Sequence, residues 1–121
     1  MIKGRVNEDN LPEIKIKLKG RKRPLKVILD TGFNGELCLP QKMIKKLCSV
    51  LCFREYFELA HGELVLADVY RVELTWFGKM REVEVVSTKA KEGLLGTELL
   101  RNCTLTFDFI NKNIEIHQDY G

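Results

Sequence analysis

Val27-Ile28-Leu29 runs directly into Asp30-Thr31-Gly32, so an apolar segment ends on a carboxylate, a small hydroxyl and a glycine. A carboxylate at the end of a buried segment is costly unless donors or a partner accompany it. Each of the three residue types has a use in acid–base hydrolysis. Asp30 can take a proton from water as a general base. Thr31 offers a hydroxyl that can bond across to a neighbouring loop. Gly32 lets the backbone turn sharply and lets another backbone or a ligand come close. A second apolar run, Leu94-Leu95-Gly96-Thr97, completes the pattern of a carboxylate held at a strand end.

One carboxylate does not complete peptide hydrolysis by this route, because the substrate carbonyl also needs a proton donor. Two aspartates about 3 Å apart share one proton and fill both roles. The chain holds a single Asp-Thr-Gly. A two-fold dimer that faces two copies of Asp30 across its axis is the simplest way to build the pair, which then titrates as a unit.

Other residues point to less chemistry. Cys38, Cys48, Cys52 and Cys103 form no CxxC pair, and only His61 and His117 are available as further ligands. Zinc sites need clustered ligands at set spacings, so reduced thiols, no metal and no cofactor are expected. Cys48 and Cys52, at helical spacing, read as two small core residues. Glu58, Glu63 and Asp68 read as solvated faces of hairpin strands, Asp108 as an exposed strand position, His61 as a solvent-facing turn residue, and Trp76 as an edge or core aromatic.

The elements that must position Asp30 follow from pattern. At 121 residues the chain makes one domain, 1–121, with one core. Its hydrophobic content of 45% and charged content of 31% describe an ordinary globular protein. Ile14, Ile16 and Leu18 alternate with polar residues, the mark of a half-buried strand. Residues 20–24 read as its turn and 25–29 as the return strand. Residues 30–35 read as a loop, and 36–39 as a short strand stopped by Pro40. Met43, Ile44, Leu47 and Leu51 stand at helical spacing, predicting a helix over 41–51 with Pro40 at its start. Strands follow over 56–60, 63–76 and 80–86, with His61-Gly62 and Phe77-Gly78-Lys79 as turns. Leu94-Leu95 is a short buried strand, 97–101 one helical turn with Thr97 as its cap, and 104–109 and 114–117 a closing pair. Many short strands with little helix indicate an all-β barrel or sandwich.

The net charge is +3. The basic run from Lys15 to Arg23 reads as the wet face of a strand and its turn rather than a nucleic-acid patch. No apolar run reaches the ~18 residues of a membrane span, and Met1-Ile2-Lys3-Gly4 lacks a signal-peptide core. A cytoplasmic protein with no nucleic-acid or membrane partner is therefore expected.

Ile28-Leu29-Asp30-Thr31-Gly32 resembles the catalytic element of the retropepsin-like (retroviral-type) aspartic proteases, and Leu94-Leu95-Gly96 resembles that family's later apolar-apolar-Gly element. Asp30 to Leu37, Leu95 to Leu100 and Leu105 to Phe109 together resemble a prokaryotic subgroup of free-standing, single-domain members. The resemblance spans about residues 13–117, nearly all of the chain. It implies a small closed acid-protease-type β-barrel with one or two short helices, a homodimer, and catalysis by an Asp30 pair acting on a peptide or protein substrate. Thr31 would hydrogen-bond across the dimer axis. Leu94, Leu95 and Gly96 would pack beneath the loop. The family's flap maps onto residues 57–67, with Ala60, His61 and Gly62 at its tip. In the family the terminal strands form the dimer interface. Phe33 stands where Ala or Ser is usual, and a ring there would narrow or line the substrate cleft.

Two functions of different kinds fit these residues. One is a homodimeric aspartic endopeptidase. The other is a catalytically silent retropepsin-fold module for dimerisation or peptide binding, with Asp30 only a hydrogen-bond acceptor. A pure scaffold has no need of a carboxylate that repels its symmetry mate, which favours the enzyme.

Overall fold

A computed structural model describes residues 1–47, 51–58 and 61–119, with only the backbone described at Leu51 and Cys52. The elements are β1 (Ile2–Val6), β2 (Pro12–Leu18), β3 (Leu25–Leu29), β4 (Leu37–Pro40), α1 (Gln41–Lys46), β5 (Leu51–Glu58), β6 (Leu64–Trp76), β7 (Lys79–Thr88), β8 (Gly93–Leu95), β9 (Cys103–Asp108) and β10 (Asn113–Gln118).

Alternation builds the sheet as the sequence predicts. Ile14, Ile16 and Leu18 are buried in β2 while Lys15 and Lys17 face water. In β3, Leu25, Val27 and Leu29 point inward. The strands join in the order β5-β6-β7-β4-β8-β3-β2-β1-β10-β9, and β2 also bonds β6. That last contact, at Lys17↔Thr75 and Leu18↔Leu74, closes six strands into a ring: β2, β6, β7, β4, β8 and β3. The length of β6 makes closure possible. Its first half pairs with β5; its second half pairs with β7 and, near its end, with β2. The fold is thus an all-β closed barrel, with β5 laid on one side and β1, β10 and β9 on the other.

The core fills this barrel with Leu37, Leu39, Leu74, Val83, Val85, Leu95 and Leu99, all almost without exposure. Trp76 joins it and meets Phe77 edge-on at 5.3 Å. Phe77 (φ 50°) and Gly78 (φ 78°) make a two-residue turn between the paired Trp76 and Lys79, which is the geometry that matches the twist of a hairpin. On β2, opposite Ile28 of β3, buried Glu13 accepts hydrogen bonds from Arg5 Nε (2.7 Å) and Asn7 Nδ2 (3.1 Å).

Four local expectations are corrected. α1 ends at Lys46, and Leu51 lies on β5 opposite Tyr70. Pro40 closes β4 and stands before the helix rather than within it. Cys48 lies outside the described residues, as does the side chain of Cys52. Residues 97–102 form linked turns, not a helical turn, because the Thr97 hydroxyl donates to Phe33 O (3.4 Å) instead of capping its own turn. Asp108 is half-buried, and its carboxylate accepts from Ile110 N and Asn111 N, both at 3.0 Å. Its neighbours Phe107 and Phe109 are the exposed residues there.

Candidate active site

The loop that carries Asp30 leaves β3 and returns as β4, and both strands register on the same third strand. β8 pairs in parallel with β3 through Ile28↔Leu94 and Leu29↔Leu95, and antiparallel with β4 through Leu37↔Leu95 and Cys38↔Leu94. Leu95 therefore sits between the two ends of the loop, fully buried. The loop straddles the tip of β8 and is fixed to it by backbone bonds. Asp30 N donates to Leu95 O (3.0 Å), and Gly96 N donates to Glu36 O (3.0 Å). Thr97 N donates to Phe33 O (2.9 Å) and Glu98 N to Gly35 O (3.2 Å).

Within this frame the Asp30 side chain is half-exposed, and its Oδ1 accepts from Gly32 N at 2.8 Å. Phe33 N turns back onto Asp30 O (3.1 Å). A carboxylate so held keeps one backbone donor and an open side toward solvent, as a general base requires. Thr31 and Gly32 are exposed beside it. The structure thus brings together Asp30, Thr31, Gly32, Leu94, Leu95 and Gly96.

Phe33 packs against its own loop. Its ring folds back over the two glycines: a Cβ on Gly35 would lie 2.5 Å from Phe33 Cζ, and one on Gly96 2.6 Å from both Phe33 Cδ2 and Phe33 O. The ring packs on its own loop, and both glycines are required by that closeness. The predicted hairpin forms between β5 and β6, with Gly62 at φ 86° in its turn. There His61 Nε2 and Glu63 Oε2 lie 2.9 Å apart. Ala60 lies outside the described residues. Among the described residues no hydrogen bond or ion pair joins this tip to the Asp30 loop.

Two contributors stand out only in three dimensions. The Glu36 carboxylate accepts from Glu84 N (3.0 Å) and Arg81 Nη2 (3.2 Å), tying the end of the loop to β7. Cys38, on β4, carries a thiol pushed up by burial; a hydrogen bond with Thr88 opposes that, and the Asp30 charge pushes it further up. The sequence marks Glu36 only as the first residue of a predicted strand, because its partners lie far along the chain.

A barrel whose strand-end aspartate is straddled over a buried apolar-apolar-Gly strand is the single-lobed acid-protease architecture. The fold is retropepsin-like. The EIAV protease complexed with the inhibitor HBY-793 superposes with a TM-score of 0.60 at 18% identity, covering 78% of this chain and 89% of that one. The simian foamy virus (mac) protease gives 0.55 at 22%, covering 73% and 90%. A foamy viral protease-reverse transcriptase in complex with an RNA/DNA hybrid gives 0.56 at 20%, covering 74% of this chain and 11% of that one. No family model and no curated protein matches the chain. Among the described residues, no helix is long and apolar enough to cross a membrane.

Proposed function

We propose that this chain is the subunit of a homodimeric aspartic endopeptidase, of the prokaryotic single-domain kind its loop resembles. The observation that carries the reading is the Asp30 loop itself: a half-exposed carboxylate at a strand end, with its backbone bonded on both sides to β8 and to residues 97–98. The retropepsin-like fold supports it.

In the dimer two Asp30 side chains share one proton. The ionised one takes a proton from water while the water oxygen attacks the peptide carbonyl carbon. The protonated one gives its proton to the carbonyl oxygen. Return of a proton to the amide nitrogen then lets the C–N bond break. Thr31 rigidifies the paired loops, and the β5–β6 hairpin with His61 and Gly62 covers a peptide substrate. The protein acts without a metal and in the cytoplasm.

The test is cleavage of a diverse peptide pool by the wild type and Asp30→Asn. The variant is expected to lose about 1000-fold or more in kcat/KM while keeping its fold, and the wild type to show a bell-shaped pH profile. Cleavage by the variant at wild-type rates refutes the mechanism. A dimer that cuts nothing moves the assignment to the silent peptide-binding module.

A further inference from the structure

Asn34 is the only asparagine of the chain that is followed by glycine. Such a pair is the least hindered place for a main-chain nitrogen to attack the side-chain amide before it. Glycine has no Cβ in the way and accepts a wide range of φ. Position 35 is bound to be glycine, because a Cβ there would lie 2.5 Å from Phe33 Cζ. The ring that folds over the loop therefore keeps a glycine behind Asn34.

The bonding of the loop leaves this one peptide group loose. Phe33 O accepts from Thr97 N (2.9 Å) and Gly35 O from Glu98 N (3.2 Å), so the peptide groups on either side are held. Among the described residues, neither Asn34 O nor Gly35 N makes a hydrogen bond, and the Asn34 side-chain amide makes none. Every other peptide group from Asp30 to Leu37 is bonded at one end or the other. A loose peptide plane turns between two fixed neighbours by opposite changes in ψ of Asn34 and φ of Gly35, and glycine tolerates that turn. Asn34 is half-exposed, so water reaches it.

We propose that Asn34–Gly35 is a self-modification site, at which conversion of Asn34 to isoaspartate unfastens the Asp30 loop. Gly35 N gives its proton to solvent base and bonds to Asn34 Cγ. The Cγ–Nδ2 bond breaks, and Nδ2 takes a proton from solvent and leaves as ammonia, closing a cyclic imide. Water then adds to one imide carbonyl carbon, and its bond to the Gly35 nitrogen breaks. Opening at Cγ restores the original main chain as aspartate. Opening at the main-chain carbonyl routes the chain through Cβ, as isoaspartate. The added carbon falls between Phe33 O and Gly35 O, whose donors sit on the consecutive residues Thr97 and Glu98. Those donors fit only the present spacing, so the longer chain releases one of them. On the proteolytic reading above, on which this clause rests, activity expires as the chain ages.

The test ages wild type, Asn34→Gln and Asn34→Asp at neutral and mildly alkaline pH. Isoaspartate is mapped by peptide mass spectrometry, with amide exchange and peptide cleavage followed on the same samples. Isoaspartate should accumulate at position 34 ahead of every other asparagine, and faster at the alkaline pH. Exchange at Thr97 and Glu98 should rise about 10-fold as it does so. Asn34→Gln closes a larger ring more slowly and should hold its own starting activity at least about 10-fold longer. Fresh Asn34→Asp should keep both amides protected, which assigns the loosening to the added carbon and not to the charge. An Asn34 that stays intact while activity decays overturns the proposal, as does Asn34→Gln decaying at the wild-type rate. Fresh Asn34→Asp already as loose as aged wild type overturns it too. A wild type that cuts no peptide but forms isoaspartate and loses protection at Thr97 and Glu98 upholds the site and refutes only the proteolytic reading.

Discussion

The Asp30 loop and the β5–β6 hairpin face opposite demands, and they are built in opposite ways. The loop is short and irregular, yet its backbone is bonded to Leu95, Thr97 and Glu98, and Glu36 beyond it to Gly96, around a fully buried Leu95. The hairpin is paired without interruption from Phe53 to Glu58, yet Tyr56, Leu64 and Leu66 are at least half exposed. Its ion pair Arg54–Asp68 lies at the surface, where it contributes at most about 1 kcal/mol, and the His61–Glu63 contact is exposed as well. Regular secondary structure is therefore the weaker guarantee of rigidity here. What fixes a segment is tertiary burial and bonding to distant backbone.

Breaking the loop side should have the largest effect. Gly96→Ala places a Cβ against the carbonyl oxygens of Phe33 and Gly35, both backbone, and should cost about 3 kcal/mol in urea unfolding. Gly35→Ala meets only the Phe33 ring. It should cost about 1.5 kcal/mol, and Phe33→Ala should relieve this variant while leaving Gly96→Ala unrelieved. Equal relief of both would show that the ring, not the backbone, sets the spacing.

Acid should weaken the support of β3 next. Burial pushes the Glu13 carboxyl up, but hydrogen bonds from Arg5 and Asn7 and the charges of Arg5 and Lys26 outweigh it, leaving it below the usual value of 4.5. A depressed carboxyl stabilises the fold above 4.5 and ceases to do so as pH falls through its folded value. The urea unfolding free energy of wild type should fall over that acidic window by about 1 kcal/mol more than that of Glu13→Gln. On the hairpin, Leu66→Ser should change stability by less than about 0.5 kcal/mol. Amide exchange there should outpace that of Asp30 and Gly96; slower exchange in the hairpin would reverse the comparison.

Sequence pattern reveals whichever features repeat locally. The alternation of β2 and the strand-end aspartate are legible because each is set by neighbours along the chain, whereas a place for Leu94-Leu95-Gly96 beneath the loop follows only from the family resemblance. Ring closure between Lys17 and Thr75 is not, since nothing in either strand marks the other as its partner. Thr97 looks like a cap until the Phe33 carbonyl is brought beside it. Leu51 continues a helical spacing and still lies on a strand, because Tyr70 supplies a partner ladder that outweighs a weak local preference. Phe33 is recognisable as unusual, but only the two glycines beneath the ring show where it goes. Alternation at Phe107 and Phe109 says that they share a face, not whether anything covers it.

The dependence of the Asp30 loop on β8 also sets an order of events in the cell. A ribosome makes Asp30 long before it makes Leu95, Thr97 and Glu98, whose backbone groups must hold the loop. Such long-range pairings form late in folding. A nascent or truncated chain that stops before β8 thus carries its aspartate on an unanchored segment. The carboxylate takes the geometry seen here only once the chain extends past the last strand that frames it.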